Sequence, residues 1–240
     1  MKPAAAYPKT VAALTVLSGL LALACLVLLS LALAGHPEAF NDPVKIIEYP
    51  GMNWNLLRAS MLADLTGYYL LLLPVMYYLR PVLREQTPWA DAITYCGTAY
   101  AWGGALGAAI LSEAGVRLYT DYHAAAPAEQ APIRVAYQAM TYLVYDGLWN
   151  LLGSLLAGTW WFLTGYFLTG FHRATARTAM VLGACTALDP LGNLLGIEWL
   201  AETGLNVYLV LAPTWAIWTG VVVWRKARKA VLLPEPRTVA

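Results

Sequence analysis

Asp146-Gly-Leu-Trp-Asn-Leu-Leu-Gly153 recurs further along the chain as Asp189-Pro-Leu-Gly-Asn-Leu-Leu-Gly196, with Asp, Leu, Asn, Leu, Leu and Gly kept in place. Both copies lie inside long apolar runs. On an α-helix, positions i, i+4 and i+7 share one face. Each copy therefore reads as an apolar helix with one polar stripe, Asp146/Asn150/Gly153 or Asp189/Asn193/Gly196. Hydrocarbon cannot satisfy such a stripe, so it must face protein or water.

The rest of the chain agrees with a membrane setting. Of 240 residues, 60% are hydrophobic and 12% charged, against about 25% charged in soluble domains. Mean hydropathy is +0.55. Net charge is +1, and no basic stripe lies outside the tails, which excludes a nucleic-acid partner. Cys25, Cys96 and Cys185 lie in apolar runs without C-x-x-C spacing, so they read as packing residues.

A spanning helix needs about 20 apolar residues. Six runs qualify: 11–34, 54–79, 90–111, 144–170, 176–199 and 205–224, the fourth with an amphipathic lead-in from Ile133. The reading is an all-α integral membrane bundle, a single transmembrane domain over 1–240. The first run is too long for a signal-peptide core, and a retained helix is expected. Lys2, Lys9, Arg80, Arg84, Arg173, Arg177 and the basic positions of the tail fall on one side; only Lys45, Arg58, Arg117 and Arg134 fall on the other. The positive-inside rule then places both termini in the cytoplasm. Two outer loops are long and acidic, with Glu38, Asp42 and Glu48 in the first and Asp121 and Glu129 in the second; Glu202 marks a third. Trp54, Tyr77, Tyr78, Trp89, Trp199 and Trp224 sit at helix ends as an interfacial belt. Arg225-Lys-Ala-Arg-Lys229 is a juxtamembrane cluster suited to anionic lipid.

Ionisable groups inside or near the spans supply the candidate site. Asp64 and Asp189 come out at the same depth, about 15 Å from the outer ends, with Asn150 and Asn193 both at about 9 Å. Together with Asp146 and Arg58 they define a polar, outward-facing pocket for a cation, a proton or a polar headgroup, because intramembrane carboxylates are costly. In the bland alternative the same groups only tie helices together through interhelical hydrogen bonds. Asn150 and Asn193 are expected to meet face to face, with Gly153 and Gly196 letting the backbones approach. Glu113 and Arg117, at i and i+4, predict a structural ion pair. Pro74 and Pro190 predict breaks in the second and fifth helices.

Several chemistries are excluded. His36, His123 and His172 fall in loops or at helix ends, so no paired histidines hold a haem, and no lysine lies within a span for a retinal Schiff base. H-E-x-x-H and G-x-S-x-G are absent. No catalytic residue, metal ligand or cofactor is assigned.

The order of features resembles the DUF4386 type of bacterial six-helix membrane proteins. The matching pieces are Leu57-Arg58-Ala-Ser-Met-Leu-Ala-Asp64 leading to Tyr78-Leu-Arg80-Pro81, then Thr164-Gly-Tyr-Phe-Leu-Thr-Gly170, then Trp215-Ala-Ile-Trp218-Thr-Gly220 through Trp224-Arg225. The stretch His172-Arg-Ala-Thr-Ala-Arg177 departs from the pattern, which has a Pro-Arg there. The resemblance implies topology, bacterial origin and a multi-pass cytoplasmic-membrane location, and carries over no activity. The functional expectation is a non-catalytic accessory or structural subunit of a larger membrane complex, bearing the outward-facing pocket and contacting other membrane subunits. The alternatives are a cation- or proton-coupled transporter, and a membrane-embedded enzyme acting on a lipid or isoprenoid.

Overall fold

A computed structural model describes residues 3–33 and 42–232, and no strand occurs among them. The expected end of the first helix at Ala34, the His36, Pro37 and Glu38 loop positions, and Arg237 lie outside the described residues.

Among the described residues the chain forms six long helical segments: α1 (Pro3–Ala32), α2 (Trp54–Arg84), α3 (90–124), α4 (127–167), α5 (Arg173–Leu195) and α6 (Glu198–Leu232). Four of them are long and apolar enough to cross a membrane: α1 over Ala6–Ala32, α2, α5, and α6 over Glu198–Lys229. Gly and aromatic residues dilute the apolar content of α3, and a polar extension lengthens α4. Outward faces are apolar: Leu20, Val27, Trp102, Leu155, Val181 and Val210 are all exposed. A soluble fold does not leave so much apolar surface in water.

Local chemistry sets the helix ends. Asn53 caps α2 by accepting the Leu56 N–H at 3.1 Å. The His172 ring nitrogen does the same for Thr175 N–H at 3.3 Å in α5. Pro127 opens α4 at its first turn, where a missing N–H costs nothing.

Each segment packs against its neighbours in sequence, and α6 returns to α1, so the six form a closed ring. Small residues set the close approaches. A Cβ at Gly183 of α5 would stand 2.7 Å from the Gly158 carbonyl oxygen of α4. One at Gly220 of α6 would stand 2.8 Å from the Ala12 carbonyl oxygen of α1. Contact at backbone distance is how helices associate where lipid removes the hydrophobic drive. Inside the ring, Trp160, Trp161 and Trp215 are fully buried, and Trp215 donates its indole N–H to the Thr175 carbonyl at 3.1 Å.

Four expectations are corrected. The fifth helix stops at Leu195, four residues early, because Gly196 takes a left-handed φ of 67° and terminates it. Glu198, Trp199 and Glu202 therefore belong to α6, whose start precedes the expected residue 205. The second long outer loop is not a loop: α3 and α4 run on as a helical hairpin that turns at Ala125–Ala126. At 1.5 Å per residue these segments are about 50 and 60 Å long, against about 30 Å of hydrocarbon. Finally, Pro190 sits inside a helix that continues past it to Leu195.

The described part of the connection between α1 and α2 packs onto that hairpin. Pro43–Glu48 forms a 3-10 turn whose Ile46 and Ile47 are buried with Leu57, Tyr119 and Tyr137. Tyr119 donates to the Tyr49 carbonyl at 2.8 Å, and a His123 ring nitrogen lies 3.0 Å from the Ile47 carbonyl. At the opposite end of the bundle, Arg80 and Arg84 both bond Asp91, at 2.7 and 2.8 Å, and fasten the α2–α3 corner.

Candidate functional site

A cavity of about 140 Å³ lies inside the ring and is lined from all six segments, among them Cys25 of α1, Asp64 of α2, Tyr100 of α3, Trp149 of α4, Asp189 of α5 and Tyr208 of α6. It occupies the half of the bundle next to the 3-10 turn and the α5–α6 turn, since Leu29, Met61, Asp189 and Leu205 all lie within about two turns of those ends.

Departures from α-helical geometry bring its residues into place. After Asp64 the α2 backbone widens into a π turn (Leu65–Tyr69), then tightens into a 3-10 turn (Leu70–Leu72), with Pro74 in the first turn of the resumed α-helix. The expected break in the second helix is thus real, and Pro74 restarts the helix where it lacks nothing. Tyr68 and Tyr69 project from the π turn into the cavity wall. In α4 the whole stretch Leu143–Gly153 is π-helical. An i→i+5 turn is wider than an α turn, so the 3.6-residue stripe predicted from Asp146, Asn150 and Gly153 does not stay on one face. Asn150 and Gly153 line the cavity, whereas Asp146 is exposed outside it. Such π segments are frequent at functional sites.

The two carboxylates that line the cavity differ in their partners. Asp189, 3% exposed, accepts from Ser154 Oγ at 3.1 Å and from Asn193 Nδ2 at 2.9 Å. Gly204 allows α6 to approach this point closely, because a Cβ there would stand 2.7 Å from the Asp189 nitrogen. Asp64 is 8% exposed and its Oδ2 has no hydrogen-bond partner among the described residues. A buried, unpaired carboxylate oxygen carries a desolvation cost of several kcal/mol on the order of magnitude expected for such groups. No lysine or arginine lines the cavity.

Most of the remaining wall is aromatic. Tyr68 and Tyr208 stack at 5.6 Å between centroids, Tyr69 meets Tyr100 edge-on at 5.3 Å, and Tyr145 meets Trp149 edge-on at 4.9 Å. The polar side-chain atoms of four of them, Tyr68, Tyr100, Tyr208 and Trp149, are engaged within the protein. Tyr100 and Tyr208 hydroxyls are 2.6 Å apart, Tyr100 donates to the Tyr68 carbonyl at 3.1 Å, and Tyr68 donates to the Leu209 carbonyl at 2.7 Å. Trp149 Nε1 donates to the Gly104 carbonyl at 3.2 Å. The rings are thereby fixed in orientation. These aromatics were not singled out from sequence; the available signal was that Tyr68, Tyr69 and Tyr100 lie well inside the expected helices, whereas Tyr208 fell near the start of the expected sixth run and gave none.

Other candidates fall elsewhere. Asn193 is spent on Asp189 of its own helix, and no hydrogen bond joins it to Asn150. Gly153 and Gly196 are not points of close approach between helices: a Cβ at Gly153 would meet only the Leu148 carbonyl of its own turn, and one at Gly196 would meet nothing within 4 Å. The close α4–α5 contact sits instead at Gly158 and Gly183. The earlier end of α5 also places Asp189 about 9 Å from its helix terminus, while Asp64 lies about 15 Å along α2. Both line the same cavity, and no hydrogen bond links them. Arg58 does not reach the cavity; it bonds Glu113 across helices, with Nε at 3.1 Å from Oε1. The predicted Glu113–Arg117 pair is replaced by this one, because the π turn Leu111–Gly115 alters the i, i+4 register on which it depended. Arg117 faces Asp121 at 3.8 Å instead. Among the described residues no group of His, Cys, Asp or Glu has the arrangement of a metal site. Compared with known proteins, the chain matches no family model, no curated protein and no solved structure.

Proposed function

We propose that this chain is a six-span protein of the bacterial cytoplasmic membrane with both ends in the cytoplasm, of the DUF4386 type, and that its central cavity is an outward-facing binding site. Its role is that of a non-catalytic binding component working with other membrane subunits. The observation that carries this reading is the Asp64 carboxylate, buried without a partner in a cavity that all six helices line. Burial of an ionisable group without a partner is rare inside a bundle unless something else meets it there. Exposed apolar side chains around the outside of the ring fit a lipid surround. The basic residues Arg225 and Arg228 at the end of α6 suit anionic lipid at the cytoplasmic face.

Coupled transport is the second reading, favoured by the π and 3-10 turns that interrupt α2 beside Asp64. Irregular backbone at membrane depth lines ion and substrate sites in transporters.

Cysteine accessibility tests the proposal. In a Cys25→Ala, Cys96→Ala, Cys185→Ala background, Glu129→Cys and Lys229→Cys should react with an impermeant maleimide from opposite sides of sealed cells. Leu205→Cys, in the cavity wall, should react with a small impermeant thiol reagent from the Glu129 side. Labelling of positions 129 and 229 from one side would overturn the six-span topology, and labelling of position 205 from the Lys229 side alone would overturn the outward cavity.

A further inference from the structure

The chemistry of the cavity wall selects a class of ligand; this rests on the binding-site reading above. We propose that the cavity binds a small organic cation, a quaternary ammonium or protonated amine, with Asp64 as its counter-ion and the tyrosine and tryptophan rings as its cage.

Three observations converge. First, the wall carries two carboxylates and no cationic side chain. Arg58, the nearest candidate on the same helix, is committed to Glu113. Asp189 has two internal donors, but Asp64 Oδ2 has none. No cationic side chain of the protein neutralises Asp64, so a cation in the cavity beside it would supply the missing counter-charge. Second, the hydroxyls of Tyr68, Tyr100 and Tyr208 and the indole N–H of Trp149 already bond within the protein. What these residues offer a ligand is ring surface. A ring face attracts a positive charge, more strongly when water is excluded, and aromatic cages are the usual way to hold quaternary ammonium groups. Third, the size fits. A cavity of about 150 Å³ elsewhere accommodates benzene, and this one measures about 140 Å³. That admits a ligand on the scale of tetramethylammonium or choline.

The same wall argues against a bare metal ion. A hard cation such as calcium takes about six to eight oxygen ligands, and the wall offers two carboxylates among aromatic rings, one of them, Asp189, already held by Ser154 and Asn193. A neutral apolar molecule would fill the volume but leave the Asp64 carboxylate as unpaired as before.

The test uses full-length protein in one detergent, read by tryptophan fluorescence and by thermal stability. The probes are tetramethylammonium, choline, and 3,3-dimethyl-1-butanol, the uncharged carbon analogue of choline. Choline and tetramethylammonium should bind saturably and raise the melting temperature, whereas sodium at equal ionic strength should not. The uncharged analogue should bind at least about tenfold more weakly, the loss of one to two cation–π contacts and an ion pair. Asp64→Asn should weaken choline by a similar factor and leave the uncharged analogue unaffected; Tyr69→Leu should weaken both ammonium probes. Glu113→Gln, away from the cavity, should change nothing. Equal affinity for choline and its uncharged analogue in the wild-type protein would overturn the cation assignment while leaving a ligand cavity in place, and needs no variant to fold. Failure of all the ammonium probes, with Leu205→Cys still reactive from outside, would likewise overturn the ligand class alone. Failure of the probes together with an unreactive Leu205→Cys would remove the binding site itself.

Discussion

Replacing Gly183 by alanine should destabilise the protein, and replacing Gly103 by alanine should stabilise it. Both glycines lie inside helices, where alanine is worth about 1 kcal/mol more than glycine. The surroundings decide the sign. A Cβ at Gly183 would stand 2.7 Å from the Gly158 carbonyl oxygen and 2.8 Å from Phe162 Cα, both backbone atoms of α4. Neither can turn aside as a side chain can, so α4 and α5 must separate. Overpacking of this kind costs about 1–3 kcal/mol, and the rigid neighbours place it toward the top of that range. Net of helix propensity, the loss is about 1–2 kcal/mol. A Cβ at Gly103 meets only Leu148 Cδ1 at 3.5 Å, an ordinary contact with the end of a flexible side chain. The gain there is about 0.5–1 kcal/mol. At roughly 2–4 °C per kcal/mol for a chain of this size, the two variants should separate by about 3–12 °C on opposite sides of the wild type. The assay is thermal unfolding of purified protein, all three samples in one detergent and at one scan rate. Gly183→Ala melting at or above the wild-type temperature, or the two variants shifting in the same direction, would refute the α4–α5 packing described above.

Other changes probe single features. Gly196→Ala forces a side chain into the left-handed turn at φ 67° and should cost about 1–2 kcal/mol; no loss in a denaturation series would mean that α5 does not end there. Asp189→Ala removes the acceptor for Ser154 and Asn193 and should cost about 1–3 kcal/mol, with Asp189→Asn milder, both read as melting temperature. Arg58 and Glu113 are 49% and 63% exposed at the side chain, so a double-mutant cycle should return a coupling of about 0–1 kcal/mol that falls with added salt. A larger coupling between Glu113 and Arg117 would restore the pairing that the sequence alone suggested.

The helical class and part of the polar constellation were readable from the chain, because apolar run length and intramembrane charge are one-dimensional signals. Asp64, Asp189 and Asn150 were picked out for their cost in lipid, and they line one cavity. Positions that depend on helix phase were not readable. The stripe Asp146/Asn150/Gly153 assumes 3.6 residues per turn, and the π-helical stretch of α4 rotates Asp146 away. The Glu113–Arg117 pairing failed for the same reason in α3. Gly196 read as a packing glycine because the repeat placed it opposite Gly153; its real work is to end a helix, which shortened α5 and left Asp189 nearer the helix end. The aromatic lining was hidden by its own abundance, since tyrosine and tryptophan at membrane interfaces are ordinary. Only their mid-helix positions distinguish Tyr68, Tyr69 and Tyr100, and Tyr208 joins them only because α6 starts at Glu198.

Closure of the ring by α6 against α1 has a consequence for biogenesis. Helices emerge from the ribosome in order, and each of the first five can pair with the one before it as soon as it is made. Tyr208, which completes the tyrosine pair with Tyr100, arrives more than a hundred residues after Asp64. Until then the nascent bundle is an open crescent, and its acidic lining faces whatever fills the gap. The last helix to be synthesised is therefore the one that turns a groove into a compartment. A chain truncated after α5 would keep most of its helix–helix contacts and still present an unshielded Asp64. That exposure ends when residues 198–232 seat against α1.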